Sequence, residues 1–258
     1  MRLCLFGHMT VWVEIDGVCL LTDPWFGPHE RLERYLAPRS VPPAVSAEAL
    51  ARVQAILVSH HHLDHLDKLA LRLARLLRWT VVGSQTVARL ARQAGVAEVV
   101  GLRPHQSVSI GAVCIDAVPA EHPLAADAIG FLVRGTRSLY FSGDTRCTQR
   151  IVEAVPSQTI DVALLQAACA HYPFFGDDGM ALAEAASFVR ALRPRWFVPL
   201  HLHCSGKWLD RQAGLRLGAD NDSQVRAALT RWLAGLAAEG LRGRLLDPGE
   251  YWDVEAEE

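Results

Sequence analysis

Charge of one sign is what this chain lacks most clearly: 26 lysines and arginines against 28 aspartates and glutamates leave a formal net charge of −2 over 258 residues. No global positive field gathers phosphate backbones or anionic lipid, so a dedicated nucleic-acid binder is not expected. Apolar runs long enough to span a bilayer are missing as well, and membrane insertion is not expected either. The opening Met1-Arg-Leu-Cys-Leu-Phe-Gly-His8 reaches a histidine too soon for the apolar region of a signal peptide, which points to a cytoplasmic protein. Also absent is any C-x-x-C pair. Cys4, Cys19, Cys114, Cys147, Cys169 and Cys204 lie far apart, mostly inside apolar runs such as Leu3-Cys4-Leu5, and read as buried, reduced thiols. Cys204, which follows two histidines in a loop, is the exception. No internal repeat, low-complexity tract or linker is visible.

What is present is a chain that is 50% hydrophobic and long enough to bury a sizeable core, read here as one domain over residues 1–258. Strand-like alternation runs from Arg2 to Phe6, Thr10 to Ile15 and Val18 to Thr22, with Asp16-Gly17 marking a hairpin turn. A proline-rich stretch, Asp23 to Pro43, reads as an ordered functional loop, with Trp25 to Tyr35 a candidate active-site flap. A short helix after Ser46 and a buried strand, Ala55 to Val58, follow. Helical spacing covers Leu66 to Leu77 and Thr86 to Ala94, with strands at Thr80 to Val82 and Glu98 to Val100. Further strands are predicted at Val108 to Ile110, Val113 to Pro119, Ile129 to Val133, Ser138 to Phe141, Val162 to Leu165 and Trp196 to Leu200. Helices are predicted at Met180 to Leu192 and Asn221 to Ala238, and Asp247-Pro-Gly-Glu250 turns into a closing strand. Two strand-rich halves, each followed by helices, predict an α/β fold: a four-layer αββα sandwich of two mixed sheets with helices outside.

The sharpest feature is Ser59-His60-His61-His62-Leu63-Asp64-His65, set where an apolar strand stops and a helix is about to begin. Residues two apart in extended chain face the same side, so His60 and His62 can converge on one metal while His61 points away. Once the chain bends, Asp64 and His65 can reach a neighbouring position. This H-x-H-x-D-H run resembles the signature of the metallo-β-lactamase superfamily. Gly7-His8-Met9-Thr10, Leu21-Thr22-Asp23-Pro24-Trp25, Tyr140-Phe-Ser-Gly-Asp144-Thr, Ile160-Asp-Val-Ala-Leu-Leu165 and Phe197-Val-Pro-Leu-His201 are similar to its ascorbate-6-phosphate lactonase-like and uncharacterised metal-dependent hydrolase branch, in order and over nearly the whole chain.

The resemblance implies the αββα fold and assigns His60, His62 and His122 to one metal, Asp64, His65 and His201 to a second, and Asp144 to a bridge between them. Imidazole and carboxylate without thiolate suit two divalent ions, Zn foremost, with Mn and Fe also accommodated. Asp64 would in addition orient a water, and His8 would support the site by hydrogen bonding. His203, in His201-Leu-His203-Cys204-Ser-Gly-Lys207, stands open between a catalytic proton donor, a supporting group, a loop histidine and a ligand in place of His201. Lys207 and Arg146 are candidate anchors for an anionic group, with surface exposure the alternative. The chain departs from the branch at Gln166 to Phe175, an aromatic insertion expected to reshape the pocket, so substrate assignments do not carry over. Trp25, Phe26 and Tyr35 with Tyr172, Phe174 and Phe175 are either pocket wall or loop anchors. The implied function is metal-dependent hydrolysis of a small ester, lactone, amide or phosphodiester. The alternatives are a nuclease of the same fold, for which no nucleic-acid-gripping arm is visible, and a non-catalytic metal-binding protein. Oligomeric state is left open.

Overall fold

The structure, a computed structural model, describes residues 1–27, 39, 41–155, 159–169, 171–172, 176–202 and 222–257. An antiparallel meander opens the chain: β1 (Arg2–Gly7), β2 (Thr10–Ile15) and β3 (Val18–Thr22). Its hairpin turn at Asp16-Gly17 has positive φ at both residues, 51° and 77°, the backbone that lets a two-residue turn follow the strand twist. β4 (Ala55–Val58), β5 (Thr80–Gly83) and β6 (Val99–Gly101) continue the sheet in parallel, and β15 (Tyr251–Asp253) closes the edge beside β1. The second sheet runs antiparallel through β7 (Ser107–Ile110), β8 (Val113–Pro119), β9 (Ile129–Arg134) and β10 (Ser138–Phe141). β11 (Val162–Gln166) and β14 (Trp196–Leu200) then add in parallel, while β12 (His171–Tyr172) and β13 (Gly176–Asp177) pair apart as a small hairpin.

Period-two alternation sorts the side chains into layers. Leu3 and Leu5 of β1, Ala55 and Leu57 of β4, Leu139 and Phe141 of β10 and Val162 and Leu164 of β11 point between the sheets into one core. Their neighbours point outward. Cys4, Phe6, Ile56 and Val58 pack under three helices, α1 (Ala47–Arg52), α2 (Lys68–Leu77) and α3 (Gln85–Gln93). Tyr140, Ala163 and Leu165 do the same on the far side under α4 (Gln149–Ala154), α5 (Leu182–Leu192) and α6 (Asp222–Ala238). The result is the expected αββα sandwich.

Helix starts differ from the periodicity reading where a side chain decides them. α2 begins at Lys68, not Leu66, because Asp67 accepts from the Ala70 amide at 2.7 Å and so caps the helix. The unpredicted α4 is capped by Thr148, whose hydroxyl accepts from Ile151 N at 3.4 Å. The strands of the β12–β13 hairpin, two residues each, are too short to leave an alternating pattern. The middle layer is apolar up to its rim, and the buried polar residues gather where strands end.

Candidate metal centre

Six strand ends supply the rim. β4 stops at Val58 and releases Ser59 to His65; β8 leads to His122, β10 to Asp144, β14 to His201, β3 to Asp23 and β1 to His8. These residues are 8% exposed or less, apart from His61 to Asp64, which are partly buried. Parallel strands place their carboxyl ends on one edge, the usual location of a site in an α/β sheet. Gly143, just before Asp144, has φ +55° and an added Cβ would lie 2.5 Å from the Ser59 Cβ, so the two histidine- and aspartate-bearing loops approach as closely as backbone allows. His8, Asp23 and His201 also have positive φ, 59°, 31° and 70°, a backbone region that non-glycine residues enter only when their surroundings enforce it.

Two donor clusters result. In the first, His60 Nε2 faces His62 Nδ1 at 3.0 Å, and the His122 ring centroid lies 4.7 Å from each of theirs. In the second, His65 Nε2 and His201 Nε2 lie 3.2 and 3.3 Å from Asp144 Oδ2, and 3.9 and 3.7 Å from Asp64 Oδ2. Asp144 Oδ2 is also 4.0 Å from His122 Nε2, between the clusters. Two donors of one tetrahedral ion with 2.0–2.1 Å bonds are roughly 3.3 Å apart, so these spacings suit shared ions. The Nε2 atoms of His65, His122 and His201 and Oδ1 of Asp144 are buried without a hydrogen-bond partner. Buried polar atoms left this way are costly, and a cation among them would remove the cost.

A further set of contacts aims the rings. Asp23 accepts at Oδ1 from Ser59 N (2.7 Å) and at Oδ2 from Ser59 Oγ (2.6 Å) and His65 Nδ1 (2.6 Å). Ser59 Oγ in turn receives His60 Nδ1–H at 3.0 Å, which leaves His60 Nε2 as a lone pair toward the cluster. One carboxylate thus sets one imidazole in each cluster. Asp67 pins the chain after Asp23 by accepting from Phe26 N and Gly27 N, at 2.7 and 2.5 Å. His8 lies tilted against His201, 4.0 Å between centroids, and places Nε2 3.5 Å from Asp64 Oδ2. At His122 the Leu124 amide donates to Nδ1 (3.1 Å); ligation through Nε2 moves the ring proton to Nδ1 and breaks that contact.

Electrostatics separates the clusters. Burial, reinforced by neighbouring imidazoles, holds His60 well below the ordinary histidine range; burial likewise lowers His62, and lowers His122 to about 4. At His65 and His201 burial also opposes charge, but Asp144 and Asp64 outweigh it and raise both. Asp144 and Asp64 are held well below the carboxylate range, because His201 and His65 at the first and His65 and His8 at the second overcome the cost of burial. The first cluster is a set of neutral imidazoles. In the second, the carboxylates favour positive charge beside them, which a bound cation would supply in place of ring protons.

The structure therefore brings together His60, His62, Asp64, His65, His122, Asp144 and His201, and keeps His61 outside both clusters. His203, Cys204 and Lys207 lie outside the described residues, as do Tyr35, Phe174 and Phe175. Arg146 is not turned to a ligand as its anchor role requires: Nε and Nη2 donate to the Asp177 carbonyl at 3.1 and 2.7 Å. Trp25 and Phe26 are core residues, 2% and 8% exposed, Trp25 packing edge-on to His8 at 5.1 Å, so these two serve as anchors and not as pocket wall. Cys4, Cys19, Cys114, Cys147 and Cys169 are free thiols. Among the described residues, no helix is long and apolar enough to cross a membrane. The orienting role of Asp23 and a buried Asp178 beside His122 and Asp144 were not anticipated; Asp23 stood in a quoted motif, but nothing in its spacing marks its reach.

Residues 19–202 match the family described as beta-lactamase superfamily domain. A UPF0173 metal-dependent hydrolase of Opitutus terrae is 29% identical over 268 residues, covering 98% of this chain and 100% of its own. A UPF0173 protein of Pyrococcus furiosus is 29% identical over 201 residues, 78% of this chain and 83% of its own. The solved structure of a possible metal-dependent hydrolase from Veillonella parvula shares the fold, with TM-score 0.77 at 18% identity over 98% of both chains. The chain belongs to the metallo-β-lactamase superfamily, and its relatives there include named metal-dependent hydrolases.

Proposed function

We propose that this protein is a hydrolase that holds two divalent ions, one on His60, His62 and His122 and one on Asp64, His65 and His201, with Asp144 shared. The observation that carries the reading is the pair of donor clusters meeting at Asp144 Oδ2, with buried ring nitrogens that have no hydrogen-bond partner. Bound there, such ions supply Lewis acidity and bring the pKa of a water toward neutrality. The chain's own residues do the rest. Asp23 and Ser59 fix the ring tautomers, Asp144 spaces the clusters, and Asp64, partly exposed at the rim, orients a water toward the substrate.

Net charge near zero supports a small ester, lactone, amide or phosphodiester in preference to a polymer of phosphates. The test is turnover of a panel of these four bond types by purified protein, before and after chelation and after addition of Zn, Mn or Fe. Turnover of one class that chelation abolishes and a metal restores is expected. Turnover untouched by chelation, or none on any panel member after reconstitution, contradicts the reading.

A further inference from the structure

A buried carboxamide stands where the parallel strands of the second sheet end. Gln166, the last residue of β11, is fully buried. β11 lies between β10, whose end leads to Asp144, and β14, whose end leads to His201. Gln166 pairs in register with Leu200, the residue before His201, and the Ala167 amide that follows donates to the Leu200 carbonyl at 3.1 Å. On the other side the Gln166 amide donates to Ser142 Oγ, two residues before Asp144, at 3.0 Å.

The side chain adds a constraint of its own. Its Oε1 accepts from Thr145 N, immediately after Asp144, and from Met180 N, ahead of α5, at 3.1 Å each. Both neighbours are N–H donors, so the oxygen and not the nitrogen must face them. Thr145 passes the constraint on. Its Oγ1 accepts from Glu121 N at 2.9 Å, and Arg146 N donates to the Glu121 carbonyl at 3.1 Å, which clamps the residue before His122. Gln166 Nε2 is meanwhile buried with no hydrogen-bond partner among the described residues. A buried donor left this way is costly, and a methionine of similar volume would fill the space without that cost. What the carboxamide supplies in return is an acceptor for two backbone amides. An added Cβ at Gly179 would overlap Oε1, so only glycine leaves room for this oxygen.

We propose that Gln166 is a positioning residue for the metal donors of the second sheet, an assignment that rests on the two-ion reading above. It sets Asp144 directly through Thr145 N, and His122 through Thr145 Oγ1 and Glu121. Asp144 is the shared donor, so loss of the Gln166 oxygen acts on both ions. Loss of the Thr145 hydroxyl acts only on the ion that His122 holds.

The test compares wild type, Gln166→Met, Gln166→Glu and Thr145→Val, stripped of metal and titrated with Zn against a competing chelator, with bound ions counted and the metal-free melting temperature recorded. Gln166→Met is expected to bind both ions roughly tenfold or more weakly. Gln166→Glu, which keeps an acceptor oxygen, is expected to recover part of that loss, and Thr145→Val to weaken only the ion on His60, His62 and His122. A lower metal-free melting temperature in Gln166→Met with both affinities unchanged marks a contact that serves the fold alone and overturns the assignment, as does a loss that Gln166→Glu leaves as large. If Gln166→Met does not fold, Thr145→Val decides: a loss confined to the one ion supports the assignment, and equal losses at both ions, or none, overturn it. A wild type that binds fewer than two ions overturns the two-ion reading and this assignment with it.

Discussion

Asp23 is fully buried, yet its carboxylate reaches both clusters, one through His65 Nδ1 and the other through Ser59 Oγ and His60 Nδ1. Such outer contacts fix the tautomer and orientation of a ligating ring and are worth roughly tenfold to a hundredfold in metal affinity. Asp23→Asn should therefore weaken both ions by that order, whereas Ser59→Ala should weaken only the ion on His60, His62 and His122. Chelator competition on the two variants checks this; equal losses at both ions in Ser59→Ala contradict the relay. Burial pushes the Cys169 thiol up to about 12 and the Cys4 thiol up to about 11. An unfolded cysteine ionises near 8.5, so both groups favour the fold below about that pH, and the contribution is lost as pH rises toward the folded values. Native alkylation at pH 8, mapped by mass spectrometry, should spare Cys4 and Cys169 and label them after denaturation. Labelling of either in the native protein contradicts their burial.

At the scale of elements, the clusters depend on how closely β4 and β10 end together. Gly143→Ala puts a Cβ 2.5 Å from the Ser59 Cβ at φ +55°, and should cost about 1–3 kcal/mol of stability together with metal affinity. Gly17→Ala, at φ +77° with open space around it, should cost about 1–2 kcal/mol and leave metal binding intact. Denaturant unfolding and metal titration of the two variants separate these outcomes; unchanged metal affinity in Gly143→Ala contradicts the close approach. The same contrast explains what the sequence discloses. Strands announce themselves by alternation, and the H-x-H-x-D-H run is legible because its donors leave one strand end within six residues. Asp23 is invisible in that way because it meets Ser59 and His65 from 36 and 42 residues away. Asp178 hides behind a hairpin whose strands have no readable period, and Trp25 and Phe26 look like loop aromatics until Thr10, which accepts from the Trp25 amide, and the helix cap Asp67, which accepts from that of Phe26, tie them down.

For the whole molecule, the two packed sheets form a frame whose rim collects buried imidazoles and carboxylates from both halves of the chain. A frame of this kind fixes donors without specifying what they act on, which is why the fold and the donor set are readable while the substrate waits on the panel of esters, lactones, amides and phosphodiesters. The central claim is that the frame holds two ions joined by Asp144. The most direct measurement is the number of metal ions per chain in wild type, His61→Ala and Asp144→Ala after stripping and reloading with Zn, Mn or Fe. Two ions in wild type and in His61→Ala, with both weakened in Asp144→Ala, is the predicted result; one ion or none in wild type, or equal loss in the two variants, would contradict it.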